Sequence, residues 1–357
     1  MTKTFLLAAI IYLLQSLSNT GHAAGYDYKG YGKMVNLAEL ELIEGRYIDA
    51  LQYYDSAFAL KKGSPFLIDL YNASVCAVKA GKNDLAMKLC KEMADLGVGG
   101  AAFTATNVYY NLFSHVDWKE NVKHADVIRA ALLKKNSRVL AFVDTLVVKD
   151  QEYNHAWRNS GMAEKQRDIM YLKNDTISRQ LNEILRTNNF LDDRTVGPSL
   201  DENKTFSYNK PFDVIIVHNY QNRSGDTVFN AVLKDALESG KITPDRYAAL
   251  LDMGINNGDR PYYGELRFYM QYKCKLYVDN FNKERQQKID SNRASIGLCS
   301  TSDLLKKVIF RTKYPANDFK ISAQLSMLGS FADKQSEDMM LKESSVVFDQ
   351  IPNCREM

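Results

Sequence analysis

His218 is the residue of this chain best suited to move a proton. It ends the apolar run of VIIVHNY at 214–220, and the polar segment QNRSGD follows. An imidazole titrates near neutrality, so it can serve as a general base when a carboxylate orients it. Asp150 is the first candidate for that carboxylate. Val139, Val143 and Leu146 mark one helical face, and the next place on the stripe falls at Asp150. Such an acid is either buried and hydrogen-bonded or the point where the helix surfaces; burial without a partner would raise its pKa. Gln151 follows and would bring an amide to the same site. Glu265, in YYGELRF, is a second acid able to accept or transfer a proton. Against catalysis, no GxSxG nucleophile motif appears. A single histidine at an apolar boundary is more often a hydrogen-bonded packing residue than a catalyst. These residues alone therefore favour a packed His218.

Metal chemistry has no comparable starting point. His115, His124 and His155 are scattered, and the chain holds no HExxH or CxxC. Zinc sites cluster their ligands, so no metal or cofactor is expected.

Helices must position these groups. Thr243-Pro244 is a helix start, with Thr as N-cap and Pro in the first turn, and Gly240 stops the helix before it. VIIV between helical neighbours is expected to be a buried helix, although periodicity alone also admits a short strand. ISRQLNEILRTNNF (177–190) is amphipathic, and Asn174-Asp175-Thr176 before it suggests that Asp175 is a cap. DLLKKVIFRTKY reads as helix or strand, and QSEDMMLKESSVVFDQ as a last helix.

The front of the chain repeats itself. Gly45 and Gly81 lie 36 residues apart, each preceded by small or apolar residues and followed by Ala five positions later. Ala38, Gly45, Tyr47, Ala50, Tyr54 and Ala57 form the first copy; Ser74, Gly81, Ala86 and Met93 echo it, with Asn83 and Cys90 at the usual aromatic places. Small side chains let two helices cross closely, and glycine closes the turn between them. The pattern resembles tetratricopeptide repeats. That resemblance implies antiparallel helix pairs over Val35–Leu96 and a third, degenerate unit over Ala101–Leu133. It also implies a concave face that binds a protein or peptide.

A second resemblance covers about Ala141–Cys299. Its order is Asp150-Gln151, an amphipathic helix, Val196-Gly197, an apolar run ending in His218, Ala236, Gly240, Tyr247-Ala248 and Asp252. Tyr263-Gly264, Asn292-Arg293 and Gly297-Leu298 complete it. This looks like an uncharacterised, often exported bacterial domain that sits behind helical repeats. The family usually carries Thr-Gln after the Tyr-Gly, where this chain has Glu265-Leu266. The resemblance implies a polar cluster, not a reaction. His218, Asp150 and Tyr263 are expected to approach one another, with Gln151, Tyr263 and Arg293 as binding residues.

The wider bounds are simple. Lys3, the run FLLAAIIYLL and the small residues to Ala24 read as a cleaved signal over residues 1–23, too short to span a bilayer. The protein is therefore expected to be exported, periplasmic or secreted. With 46 basic and 43 acidic residues interspersed, no nucleic acid partner is implied. Five cysteines in an oxidising compartment permit disulfides and leave one unpaired. Cys76 and Cys90 would face each other as a disulfide or, more simply, as two packed thiols. Cys299 with Cys354 is a second pairing option, and Cys274 has no assigned partner.

The expected architecture is all-α. A signal (1–23) precedes helical-hairpin repeats (24–138), a second mainly helical domain (139–299) and a C-terminal extension (300–357). Two functions follow. The favoured one is a protein- or peptide-binding scaffold whose rear domain has no assigned activity. The other is an exported hydrolase with His218 as general base near Asp150 and Glu265.

Overall fold

The computed structural model describes residues 26–61, 63–200, 206–207, 210–222, 228–254, 262–265, 269–321, 326–327, 333–352 and 354. The expected signal at 1–23 lies outside the described residues. The chain is mainly helical.

Two helical hairpins open it. Helix α1 (Tyr28–Ile43) turns into α2 (Tyr47–Leu60), and α3 (Leu67–Lys79) into α4 (Asn83–Asp95). Both turns use one device. Gly45 (φ 75°) and Gly81 (φ 68°) take the left-handed conformation that glycine adopts freely. The next residue's N–H then closes a six-residue ring, Arg46 onto Glu41 and Lys82 onto Ala77. Ala38, Ala50 and Ala57 are fully buried between the first pair, as a close helix crossing requires.

The expected third hairpin does not form. A short helix α5 (Gly100–Thr104) and a 3-10 turn over Asn107–Leu112 lead to α6 (Trp118–Asn159), which runs 42 residues without a break. Nothing in 118–159 stops a helix, because no Gly or Pro occurs there. At 1.5 Å per residue this rod is about 63 Å long. It joins two cores: Trp118 and Ala125 belong to the core of the hairpins, Val143 and Leu146 to the second. The boundary read at 138/139 thus falls inside one helix.

Gly161 (φ 67°) reverses the chain into α7 (Glu164–Thr187). Asp175 is therefore mid-helix, not a cap, and pairs with Arg179 at 3.1 Å. The helix starts a dozen residues early because 164–175 contains no Gly or Pro to break it. A single turn α8 (Asp193–Val196) and the two-residue strands β1 (Ser199–Leu200) and β2 (Phe206–Ser207) lead to α9 (Asp213–Asn222). The VIIVHN run is thus helical. Helices α10 (Asn230–Glu238) and α11 (Pro244–Gly254) complete this core, with Gly240 (φ 68°) between them and Thr243 capping the Arg246 N–H.

A small sheet, foreseen by no pattern above, follows. Strands β3 (Tyr269–Tyr272) and β4 (Lys275–Asp279) form a hairpin whose turn residues Lys273 and Cys274 both have positive φ. After α12 (Lys283–Ser295) and α13 (Thr301–Lys313), strand β5 (Ser326–Met327) adds parallel to β3. Helix α14 (Lys334–Glu343) runs into β6 (Ser344–Phe348), which pairs antiparallel with β4. The expected last helix is therefore half helix and half strand. Cys354 is bonded to Cys274 (Cα–Cα 5.4 Å), not to Cys299. The end of β6 returns along β4, and this brings Cys354 to the hairpin turn. Cys299, Cys76 and Cys90 are free. Burial pushes the thiols of Cys76 and Cys90 up to about 12, so they behave as small apolar side chains.

The extension does not stand apart. Phe319 and Ile321 belong to the core of the hairpins, and Lys307 of α13 forms a buried 2.6 Å ion pair with Glu39 of α1.

Candidate functional site

On α6 the stripe Val143, Leu146, Asp150 stays inside, and Asp150 is completely buried. Its Oδ2 lies 2.7 Å from His218 Nδ1 and accepts from Gln151 Nε2 at 3.0 Å. Asn154, one turn further, donates its amide to the Asp150 carbonyl at 2.8 Å and sits 3.1 Å from His218 Nδ1. The shorter contact assigns the Nδ1 proton to the aspartate. That leaves Nε2 with its lone pair, and the His218 side chain is 13% exposed. A buried carboxylate that orients an imidazole is the arrangement a general base needs.

Around this pair the interior is unusually polar. Helix α7 carries Asn174, Ser178 and Asn182 at successive turns, and α9 carries Asn219 and Asn222. Asn174, Ser178 and Asn219 are almost wholly buried. Asp150 Oδ1, both amide atoms of Asn174, Ser178 Oγ, Asn219 Oδ1 and Asn222 Nδ2 have no protein hydrogen-bond partner. A buried polar atom left unpaired costs about 1–3 kcal/mol. A cavity of about 290 Å³ opens between the two helices, with Asn174, Asn219 and Asn222 in its wall.

The remaining candidates gather elsewhere. Asp252 at the end of α11 accepts the backbone N–H groups of Tyr262, Tyr263 and Glu265 at 3.1, 2.8 and 2.8 Å. Arg293 of α12 donates to the Tyr263 carbonyl at 2.7 Å and to Glu265 Oε1 at 2.8 Å, and Asn292 donates to the Tyr262 carbonyl at 3.0 Å. Gly264 (φ 73°) lets the loop curl around the Asp252 carboxylate. Burial pushes Glu265 up to about 7 against the opposing pull of Arg293. Glu265, expected beside His218, is thus committed to Arg293. Tyr263 packs its ring on Tyr247 and Tyr262, and burial raises its phenol. The expected meeting of His218, Asp150 and Tyr263 is met by the first two alone.

This second cluster borders a tight cavity of about 50 Å³ at the junction with the hairpins, walled in part by Glu39, Asp69 and Lys307. Asp69, 4% exposed, accepts from the Tyr31 hydroxyl at 2.7 Å, and burial pushes its carboxyl up to about 8.

Sequence reasoning missed Asn154, Asn174, Ser178, Asn219 and Asn222. A signal existed: Asn154 follows Asp150, and Ser178 follows Asn174, by four residues, so each pair extends one helix face. His115 and His124 contact Asp84 and Asp95 at the surface. Among the described residues no cluster of His, Cys, Asp and Glu could hold a metal ion. No helix among them is long and apolar enough to cross a membrane.

No protein-family model, curated protein or solved structure matches this chain.

Proposed function

We propose that this is an exported binding protein whose helical hairpins recognise extended polypeptide. One observation carries this reading: the hairpins hold a non-helical segment of their own chain by its backbone. Asn72 of α3 donates to the Lys320 carbonyl at 2.9 Å and accepts the Lys320 N–H at 2.8 Å. An amide that pairs with both backbone groups of one residue reads main chain, as a neighbouring strand would. Tyr71 donates to the Asp318 carbonyl at 2.8 Å. Phe319 is buried near the Tyr47 ring (6.0 Å between centroids), and Ile321 is 2% exposed. The Lys79–Asp318 pair (2.6 Å) is half exposed and adds little.

The likeness of the front to tetratricopeptide repeats supports the same reading. Export is supported by the Cys274–Cys354 disulfide, since such bonds persist in oxidising compartments.

The test is fluorescence anisotropy with a labelled peptide of sequence Asn-Asp-Phe-Lys-Ile. The tethered segment competes at an effective concentration of about 1 mM or more. Phe319→Ala, checked for fold by circular dichroism, should therefore bind the free peptide at least about tenfold tighter than the unaltered chain. Adding Asn72→Ala should remove that binding. If Phe319→Ala takes up no peptide even at millimolar concentration, the groove recognises only its own covalent segment and the reading fails.

A second reading, an exported hydrolase, is favoured by the Asp150–His218 pair at 2.7 Å. Glu265 has no part in it. It predicts turnover of an activated ester that His218→Gln abolishes while the melting temperature stays close to that of the unaltered chain. Equal turnover by both proteins removes it.

A further inference from the structure

We propose that the seam between α7 and α9 binds a small hydroxyl-rich ligand of the monosaccharide or polyol class. This site is independent of peptide recognition by the hairpins.

With α6 these helices bury one continuous apolar surface, made by Val143 and Leu146 on α6, Ile177, Leu181 and Leu185 on α7, and Ile215 and Ile216 on α9. Toward the Gly161 turn that surface changes character. Asp150 continues the stripe on α6, while Asn174 and Ser178 on α7 and Asn219 on α9 are as deeply buried as the leucines. Side chains of this kind inside a helix bundle are ordinarily paired. Here Asn174 and Asn219 line an open cavity, and each presents amide atoms without a protein partner.

The donor and acceptor inventory selects the ligand. Asn174 offers both an N–H and a carbonyl, Asn222 an N–H and Asn219 an acceptor, all three in the cavity wall. A hydroxyl donates and accepts at once, so neighbouring hydroxyls can answer such a mixed set. A cation would meet the acceptors and leave the two amide N–H groups unpaired. An anion would face the carboxylate of Asp175, which also lines the cavity. At about 290 Å³ the space lies at the lower end of small-molecule pockets. Tyr171 and Leu172 give its rim an apolar side for the C–H face of a sugar ring.

Calorimetric titration of the mature chain with D-glucose, D-galactose, N-acetyl-D-glucosamine and myo-inositol tests the proposal. At least one should bind with Kd below about 1 mM and raise Tm. The double variant Asn174→Leu, Asn219→Leu should lose that binding at least about tenfold and melt higher than the unaltered chain, because unpaired amides leave the interior. Should the double variant not fold, Asn222→Ala, at the half-buried edge, is expected to weaken binding by a similar factor. The proposal is overturned if none of the four compounds binds with Kd below about 1 mM, or if a variant binds as the unaltered chain does. Preferential binding of calcium or phosphate at this seam would also overturn it.

Discussion

An acid whose burial outweighs the pull of nearby cations holds its proton to high pH, and Asp69, within reach of Lys61, is such an acid. Its neighbour is a tyrosine hydroxyl, and burial pushes its pKa from about 3.9 in an unfolded chain to about 8. The folded state therefore binds the proton more tightly. The contribution is complete below about pH 4 and is lost as pH rises through about 8. Glu265, pushed up to about 7, acts in the same sense. Lys61, lowered to about 7 by burial, acts oppositely at higher pH. Asp69→Asn isolates the first effect. Urea unfolding at pH 5 and pH 8 should show the variant gaining on the parent by a few kcal/mol at the higher pH. Parallel profiles would mean that Asp69 is ionised in the fold. The position of Asp150 was legible because a helical stripe leads to it. The choice between a buried and a surfacing acid was not, because His218 and α7 supply the burial from distant sequence. The same reason hid the commitment of Glu265 to Arg293.

Helix pairing depends on where backbones approach. Gly45 sits in an open turn, with nothing within 4 Å of the place a Cβ would take. Gly297 is different: a Cβ there would lie 2.7 Å from the Lys29 Cα and 3.1 Å from its carbonyl oxygen, at φ +82°. This contact seats α1 on the loop after α12. Gly45→Ala should cost only the left-handed backbone penalty, about 1–2 kcal/mol. Gly297→Ala adds displacement of packed backbone and should exceed it by a further ~1–3 kcal/mol. Chemical denaturation of the two variants decides this, and equal costs would defeat the packing explanation. The hairpins themselves were readable, since the same glycine spacing and alanine placement recur. The β3–β4 hairpin was not, because its turn uses Lys273 and Cys274 in a conformation usually marked by Asn or Gly.

At the scale of the molecule, the front hairpins cannot be separated from the end of the chain. Glu39 is buried against Lys307, Phe319 and Ile321 complete the first core, and Lys61 donates to the Gly240 carbonyl at 2.8 Å. Residues 24–138 expressed alone should therefore lack a cooperative thermal transition. Without the extension Glu39 loses its ion-pair partner, and the apolar surface covered by Phe319 and Ile321 is exposed to water. Calorimetry checks this; a single sharp transition in the fragment would show that the hairpins need no extension.

Local periodicity belongs to the sequence, and what depends on it was legible without coordinates. The paired helices around Gly45 and Gly81 and the place of Asp150 on the stripe of Val143 and Leu146 follow from spacings of three to five residues. Tertiary structure alone decided which distant groups meet. Lys307 finds Glu39 across 268 residues, Lys320 finds Asn72 across 248, and Cys354 finds Cys274 across 80. No periodic pattern encodes such partners. They are selected when packing leaves a buried charge, amide or thiol one place where it can be satisfied.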